Sequence, residues 1–224
     1  MGSELPSEPV PHQYLIFKRL QTMKPKINQN TKKTALRNEL RARRRQLSES
    51  DRLSLDASIN QFLAKYIAEH RPATIAAFWP FDGEPNLLPT LAATDQHGTQ
   101  IALPVIKQSP SGPSLVFAQW TSATVMEKNH YGIPEPCGSP EILLFNIDLL
   151  LLPLVGWDES GNRLGMGAGF YDRALTPLNQ CEVPVRTGVA YQLQRVPKIP
   201  DEPWDIRLHM LLSETGWFTC PSRE

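Results

Sequence analysis

The sequence predicts an α/β fold in a single domain: three layers, with a mostly parallel sheet flanked by helices. Two observations point there. Short apolar runs alternate with helical patterns along most of the chain, which is the order that builds a parallel sheet covered on both faces. The 21 prolines among 224 residues, against the ~5% of average usage, favour ordered loops and strand ends over long helices. Hydrophobic residues at 41% and charged residues at 21% exclude a disordered, collagen-like or coiled-coil chain.

The elements follow in order. Residues 1–30 carry three early prolines and little periodicity, so they read as a mobile tail, with Met23 a candidate natural start. The domain is expected over 31–224. From Thr31, Leu36, Leu40 and Leu47 share one helical face, with Arg37, Arg41, Arg44 and Arg45 around the others. Ser48, followed by Asp51, caps a second helix whose inward residues are Leu55, Ile59, Phe62, Leu63, Tyr66 and Ile67, and Arg71-Pro72 ends it. Thr74 to Trp79 reads as a buried strand. Asn86 starts a helix running toward His97, with Gly98 at its end. Strands are expected at Gln100 to Ile106 and Leu115 to Trp120, then a Gly/Pro-rich passage, then a strand at Asp148 to Val155. Asp158 to Asn162 is a turn, Phe170 to Leu175 a helix start, and Val185 to Tyr191 and Ile206 to Ser213 the last strands.

Charge narrows the function. Lys+Arg and Asp+Glu are both 23, so no global field favours nucleic acid or membrane, and any basic patch is local. Cys137, Cys181 and Cys220 lie in no metal-ligand spacing, and their odd number fits a disulfide framework poorly. The most apolar window, Ile142 to Val155, is interrupted by Asn146, Asp148 and Pro153 and falls short of a spanning helix. The N-terminus shows no secretory pattern, so a cytoplasmic protein is expected.

The most informative segment is Leu149 to Leu175, where a buried strand feeds a loop with Gly165, Gly167 and Gly169 and then a helix. Alternating glycines let backbone N–H groups approach an anion closely, and the helix start adds its positive end. Neither GxGxxG nor GxxxxGK[ST] fits, so this is a different phosphate loop or a set of tight turns. Arg163 and Asp172 favour the first reading, one as a phosphate fork and the other as a Mg2+ ligand.

Asn162 to Arg173, NRLGMGAGFYDR, resembles the RLGxGxGYYDR signature of the 5-formyltetrahydrofolate cyclo-ligases, also called 5,10-methenyltetrahydrofolate synthetases. The resemblance runs from about Lys32 to Thr215, through Lys33 and Arg37, Glu84, Gly132 to Pro136 and Pro200 to Asp205. It implies ATP-dependent cyclisation of 5-formyltetrahydrofolate to 5,10-methenyltetrahydrofolate, with release of ADP and phosphate. Lys33 and Arg37 would then meet ATP, together with Arg163, Leu164, Gly165, Met166, Gly167, Ala168, Gly169, Phe170 and Tyr171. Glu84 and the stretch Met166 to Phe170 would contact the folate. Arg163, Tyr171 and Asp172 would serve catalysis, and Asp172 and Asp205 would hold Mg2+. The partners implied are the two small molecules, with no nucleic acid and no membrane, and the protein is expected to act as a monomer. Four positions depart from the family pattern: Met166, Ala168, Phe170 and Trp204.

Two readings of other classes remain. Lys32 to Arg45 could form an RNA-contacting arm on a non-catalytic module. A small-molecule kinase that shares the loop is the other. Without the resemblance, Lys33 and Arg37 are a solvated helix face, Glu84 a loop acid and Asp172 a complement to a helix dipole.

Overall fold

The computed structural model describes residues 29–110, 112–178, 181–202 and 204–221. The expected tail therefore lies outside the described residues, except that Gln29 and Asn30 already belong to a helix. That helix, α1 (Gln29–Arg45), packs Leu36 and Leu40 on Val155, Leu164 and Ile199. Leu40 sits so close to Gly156 that a Cβ there would lie 2.4 Å from its Cδ1. Arg44, read as an outward residue, is instead fully buried. Helical spacing places it at i+4 from Leu40 and i+7 from Arg37, on the face that packs, and buried carbonyl and carboxylate acceptors receive it there.

In α2 (Glu49–His70) the Ser48 Oγ accepts the Asp51 N–H at 3.1 Å, and Arg71 closes the helix in the left-handed region at φ 49°. Strand β1 (Thr74–Ala76) is shorter than expected. Ala77 still donates to Ala102, but Pro80 has no N–H and restricts Trp79, so Phe78 and Trp79 leave the ladder. Helix α3 (Leu88–Asp95) follows, with the Asn86 Oδ1 accepting from the Leu88 N–H.

Strands β2 (Gln100–Lys107) and β3 (Ser114–Trp120) form an antiparallel pair. The Gly/Pro-rich passage holds a hairpin that periodicity did not reveal, β4 (Met126–Lys128) with β5 (Pro134–Pro136). Two prolines in three residues read as loop, yet a small two-stranded edge tolerates missing donors. After β6 (Glu141–Ile142) come β7 (Leu149–Pro153), the short pair β8 (Gly156–Trp157) and β9 (Arg163–Leu164), and α4 (Phe170–Leu175). The remaining strands are β10 (Val185–Val189), β11 (Met210–Ser213) and β12 (Gly216–Thr219). β11 starts four residues later than expected, and β12 was not foreseen, being four residues against a tight turn with Gly216 at φ 114°.

The main sheet has the order β12-β11-β10-β7-β1-β2-β3-β6. The β2, β1, β7, β10 and β11 pairings are parallel, and the antiparallel strands lie at the two sides. Alternation along the central strands divides the core. Ile75, Ile101, Leu149, Leu151 and Leu212 meet Ile59 and Leu63 of α2 and Leu91 of α3, whereas Ala76, Leu150, Leu152 and Leu211 meet Leu175 and Leu178. The expected three layers are present. After β1 the chain first builds the β2 side and then crosses to β7 on the other side. The loops leaving β1 and β7 therefore diverge and open a crevice at their C-terminal ends.

Three leucines crowd Gly188 on β10, where a Cβ would meet Leu208 Cδ1 at 2.6 Å, Leu154 Cδ2 at 2.7 Å and Leu211 Cδ1 at 3.2 Å. Gly188→Ala should therefore lower stability by about 1–3 kcal/mol through overpacking. Urea unfolding would register this as a lower midpoint at unchanged slope; an unshifted midpoint would show that the leucines yield freely.

Candidate active site

One cavity of about 710 Å³ occupies the crevice, and every residue singled out from the sequence as a site candidate lines it. Its three walls are α1, the turn after β1, and the segment from β7 through α4. The third is joined by the loop of Glu202, Trp204 and Asp205.

Lys33, Arg37, Leu40 and Arg44 form one stripe along α1 at helical spacing, and each meets a different part of the site. The Lys33 Nζ donates to Asp205 Oδ2 at 2.7 Å, and the same oxygen accepts the Glu202 N–H at 3.0 Å. The Arg37 Nε donates to the Gly165 carbonyl at 2.7 Å, so α1 grips the glycine loop through its backbone. Burial, followed by the charge of Arg41, lowers the Arg37 guanidinium below its usual range.

The loop itself leaves β9, whose two residues pair with β8 and bury Arg163. The Arg163 Nη2 donates to Asp172 Oδ1 at 2.5 Å, its buried Nε has no partner among the described residues, and its guanidinium lies 6.0 Å from the Tyr171 ring centre. Gly167 at φ 104° and Gly169 at φ 67° both occupy conformations that L side chains rarely adopt. Gly169 directly precedes α4, and the Arg173 side chain folds back to donate to the Ala168 carbonyl at 2.8 Å. Asp172 also accepts the Ile206 N–H at 3.4 Å, which brings the Asp205 segment beside it.

The wall after β1 is a turn, Phe81 to Glu84, closed by the Glu84 N–H on the Phe81 carbonyl at 3.0 Å. Asp82 and Gly83 are both left-handed, at φ 52° and 79°. Asp82 accepts from the Nε of Arg41 and of Arg45 and from the Arg44 Nη2, at 2.7, 2.6 and 3.1 Å. Burial pulls its carboxyl upward, but these arginines prevail and hold it below the usual carboxylate range. Glu84 is buried, with Oε2 accepting the Phe81 N–H at 3.2 Å and Oε1 3.9 Å from the Arg44 Nη1. Burial pushes its carboxyl up to about 7, against the opposing pull of Arg44. Tyr171 faces this carboxylate electrostatically, and burial together with Glu84 pushes its hydroxyl upward.

Sequence reasoning missed much of the cavity's apolar side. Phe78, Trp79, Ile106, Leu115, Tyr131 and Ile133 line it, and Tyr131 packs edge-on to Phe170 at 6.1 Å. The signal was present at Trp79-Pro80, where a strand of apolar residues stops beneath a proline, and in the hairpin hidden by Pro134 and Pro136. Arg41, Arg44 and Arg45 all contact Asp82, so these three cations of α1 have a carboxylate partner within the protein, which counts against an RNA-contacting arm.

The doubly wound sheet, with a crevice at its switch point and a glycine loop leaving the crossing strand, defines an α/β enzyme acting on small molecules. The 5-formyltetrahydrofolate cyclo-ligase family model matches residues 29–214. A protein of Haemophilus influenzae named 5-formyltetrahydrofolate cyclo-ligase is 34% identical over 184 residues, 81% of this chain and 97% of that one. An Escherichia coli protein of the same name is 34% identical over 172 residues, covering 75% and 93%. The solved structure of Aquifex aeolicus 5,10-methenyltetrahydrofolate synthetase superposes with a TM-score of 0.72 at 26% identity, covering 86% of this chain and 94% of that one. The chain belongs to the 5-formyltetrahydrofolate cyclo-ligase family. Among the described residues, no helix is long and apolar enough to cross a membrane.

Proposed function

We propose that this chain closes 5-formyltetrahydrofolate to 5,10-methenyltetrahydrofolate at the expense of ATP, with both substrates held in the crevice. One observation carries the reading: a single cavity has a cationic, glycine-rich end at Lys33, Arg37 and Arg163 and an apolar end built around a buried carboxyl, Glu84. The first suits a triphosphate; the second suits a flat heterocycle with N–H donors.

The chemistry requires no protein nucleophile. The formyl oxygen attacks the γ-phosphorus, the bond to the bridging oxygen breaks, and ADP leaves. N10 then attacks the activated carbon, its proton is lost, and the carbon–oxygen bond breaks to expel phosphate. Positioning and charge stabilisation are the protein's share. Backbone N–H groups of the loop from Gly165 to Gly169 and the guanidinium of Arg163 would hold the transferred phosphoryl group. Lys33 and Arg37 would neutralise the rest of the triphosphate. Met166 and Phe170 would contact the folate, and Tyr171, whose hydroxyl stays protonated, can donate a hydrogen bond. Leu164 and Ala168 would contribute backbone and apolar contact beside the nucleotide.

Asp172 and Asp205 fit a magnesium ion. They are hard oxygen donors brought to one side of the cavity by Arg163, Ile206 and Lys33, and no group of three or more metal-binding side chains forms among the described residues. Two carboxylates with the rest of the shell from phosphate and water is the usual magnesium arrangement. The ion would supply charge neutralisation across the phosphates. These carboxylates pair with Lys33 and Arg163, so each of these acids has its own cation within the protein. The protein would work in the cytoplasm as a monomer; the free thiols of Cys137, Cys181 and Cys220 agree with a reducing compartment.

Purified protein with ATP, magnesium and 5-formyltetrahydrofolate should develop methenyl absorbance, and omission of ATP should abolish it. Product at full rate without ATP, or phosphate transferred to a stable acceptor as in a kinase, would defeat the proposal. Asp172→Asn and Asp205→Asn should each raise the magnesium concentration for half-maximal rate by about tenfold or more. An unchanged requirement in both variants would remove them from the metal site.

A further inference from the structure

Resting on the reading of Glu84 as the folate-contacting carboxyl, we propose that Arg44 is the positioning residue that fixes this carboxyl in the crevice. Arg44 does not itself line the cavity, so it would act through Glu84 and Leu154, which do.

The guanidinium is fully buried and reaches three acceptors on two of the walls. Its Nε donates to the Asp82 carbonyl at 3.0 Å, its Nη2 to Asp82 Oδ2 at 3.1 Å, and its Nη1 to the Leu154 carbonyl at 3.1 Å. The same Nη1 stands 3.9 Å from Glu84 Oε1. Asp82 belongs to the left-handed pair that turns the chain from Phe81 to Glu84, and Leu154 follows β7 directly, on the far side of the crevice. One planar fork therefore fixes the turn that carries Glu84 against the strand end facing it. A lysine has the charge but not the geometry to bind all three.

The surroundings of Glu84 set what the loss of Arg44 would do. Arg44 and Arg41 approach from α1, Asp82 from the same turn, and Tyr171 from α4. Arg44 is the strongest of the influences holding the carboxyl down against its burial. A neutral residue in its place moves the pH at which Glu84 ionises upward, because the remaining neighbours include the anion Asp82.

Arg44→Lys should raise the KM for 5-formyltetrahydrofolate by about tenfold, the equivalent of ~1.4 kcal/mol, with the KM for ATP changed by less than about twofold. Arg44→Gln should in addition move the acid limb of the kcat/KM profile for folate to higher pH by about one unit. The decisive comparison is Arg44→Lys made in a Glu84→Gln background. A residue acting through Glu84 has no further effect on folate KM there, whereas a general packing role gives the same loss in both backgrounds. Equal losses, or a loss shared by ATP, would overturn the inference, as would an unmoved acid limb in a folded Arg44→Gln variant. Should Arg44→Gln fail to fold, the double-variant comparison decides alone. If Glu84→Gln by itself leaves folate KM unchanged, the assignment of Glu84 to the folate fails instead.

Discussion

Arg163→Met should lower kcat/KM for ATP by about 10²–10³, the loss expected when one well-placed donor to developing charge is removed. The size follows from the position. Arg163 is held by a two-residue strand, buried, and bound to Asp172 at 2.5 Å, so its guanidinium is fixed at the start of the loop. Among the described residues its enclosed Nε has no hydrogen-bond partner, so the guanidinium is held through Nη2 alone. The substitution also strips Asp172 of its guanidinium, so the thermal midpoint should fall with the activity. Initial rates with ATP varied at saturating folate, beside a melting curve, separate the two effects. A folded variant within about threefold of the parent would mean that Arg163 is a strut for Asp172 and nothing more.

Gly167→Val should be nearly as damaging, with nucleotide binding reduced by about a hundredfold. At φ 104° a β-branched residue is strained, and its Cβ would stand 3.4 Å from the Arg37 Cζ, on the guanidinium that ties α1 to the loop. Strain of about 1–3 kcal/mol either distorts the loop or pushes Arg37 off Gly165. Met166→Ala is the control, since Met166 is partly exposed and offers only apolar contact. Its effect should fall on folate KM, modestly, and spare ATP. Calorimetric titration of nucleotide into both variants checks this; tight ATP binding by Gly167→Val with loss in Met166→Ala would show that side chains, rather than the backbone, hold the phosphates.

The sheet was largely legible because Ile75 to Ala77, Ile101 to Ile106 and Leu149 to Pro153 are continuous apolar runs, the pattern of strands in a covered parallel sheet. Ser48 and the helix start at Phe170 were legible from local chemistry alone. The hairpin at Met126 to Pro136 and the last strand were not, since neither carries periodicity long enough to register. Within the site, the glycine loop with Arg163 and Asp172 could be read from spacing and residue type, whereas Lys33, Arg37, Glu84 and Asp205 were picked out only through the family resemblance. Arg44 could not. Its neighbours Arg41, Arg43 and Arg45 lie partly or largely in solvent, and what sets Arg44 apart is the Leu154 carbonyl and Glu84, both far along the chain.

The stripe on α1 has a consequence for the order of synthesis. Its partners lie far downstream: Arg44 and Leu154 are 110 residues apart, Arg37 and Gly165 are 128, and Lys33 and Asp205 are 172. A ribosome adding about 5–20 residues per second keeps Lys33 waiting for Asp205 for roughly ten to thirty seconds. Asp82, by contrast, follows Arg41, Arg44 and Arg45 by only 41, 38 and 37 residues. It emerges about two to eight seconds after them, while most of the chain is still unmade. The arginine-rich part of the nascent helix can thus acquire its internal counter-ion early, before the ribosomal RNA beside it has long to compete for those charges, while the Lys33 end of the same helix waits for Asp205.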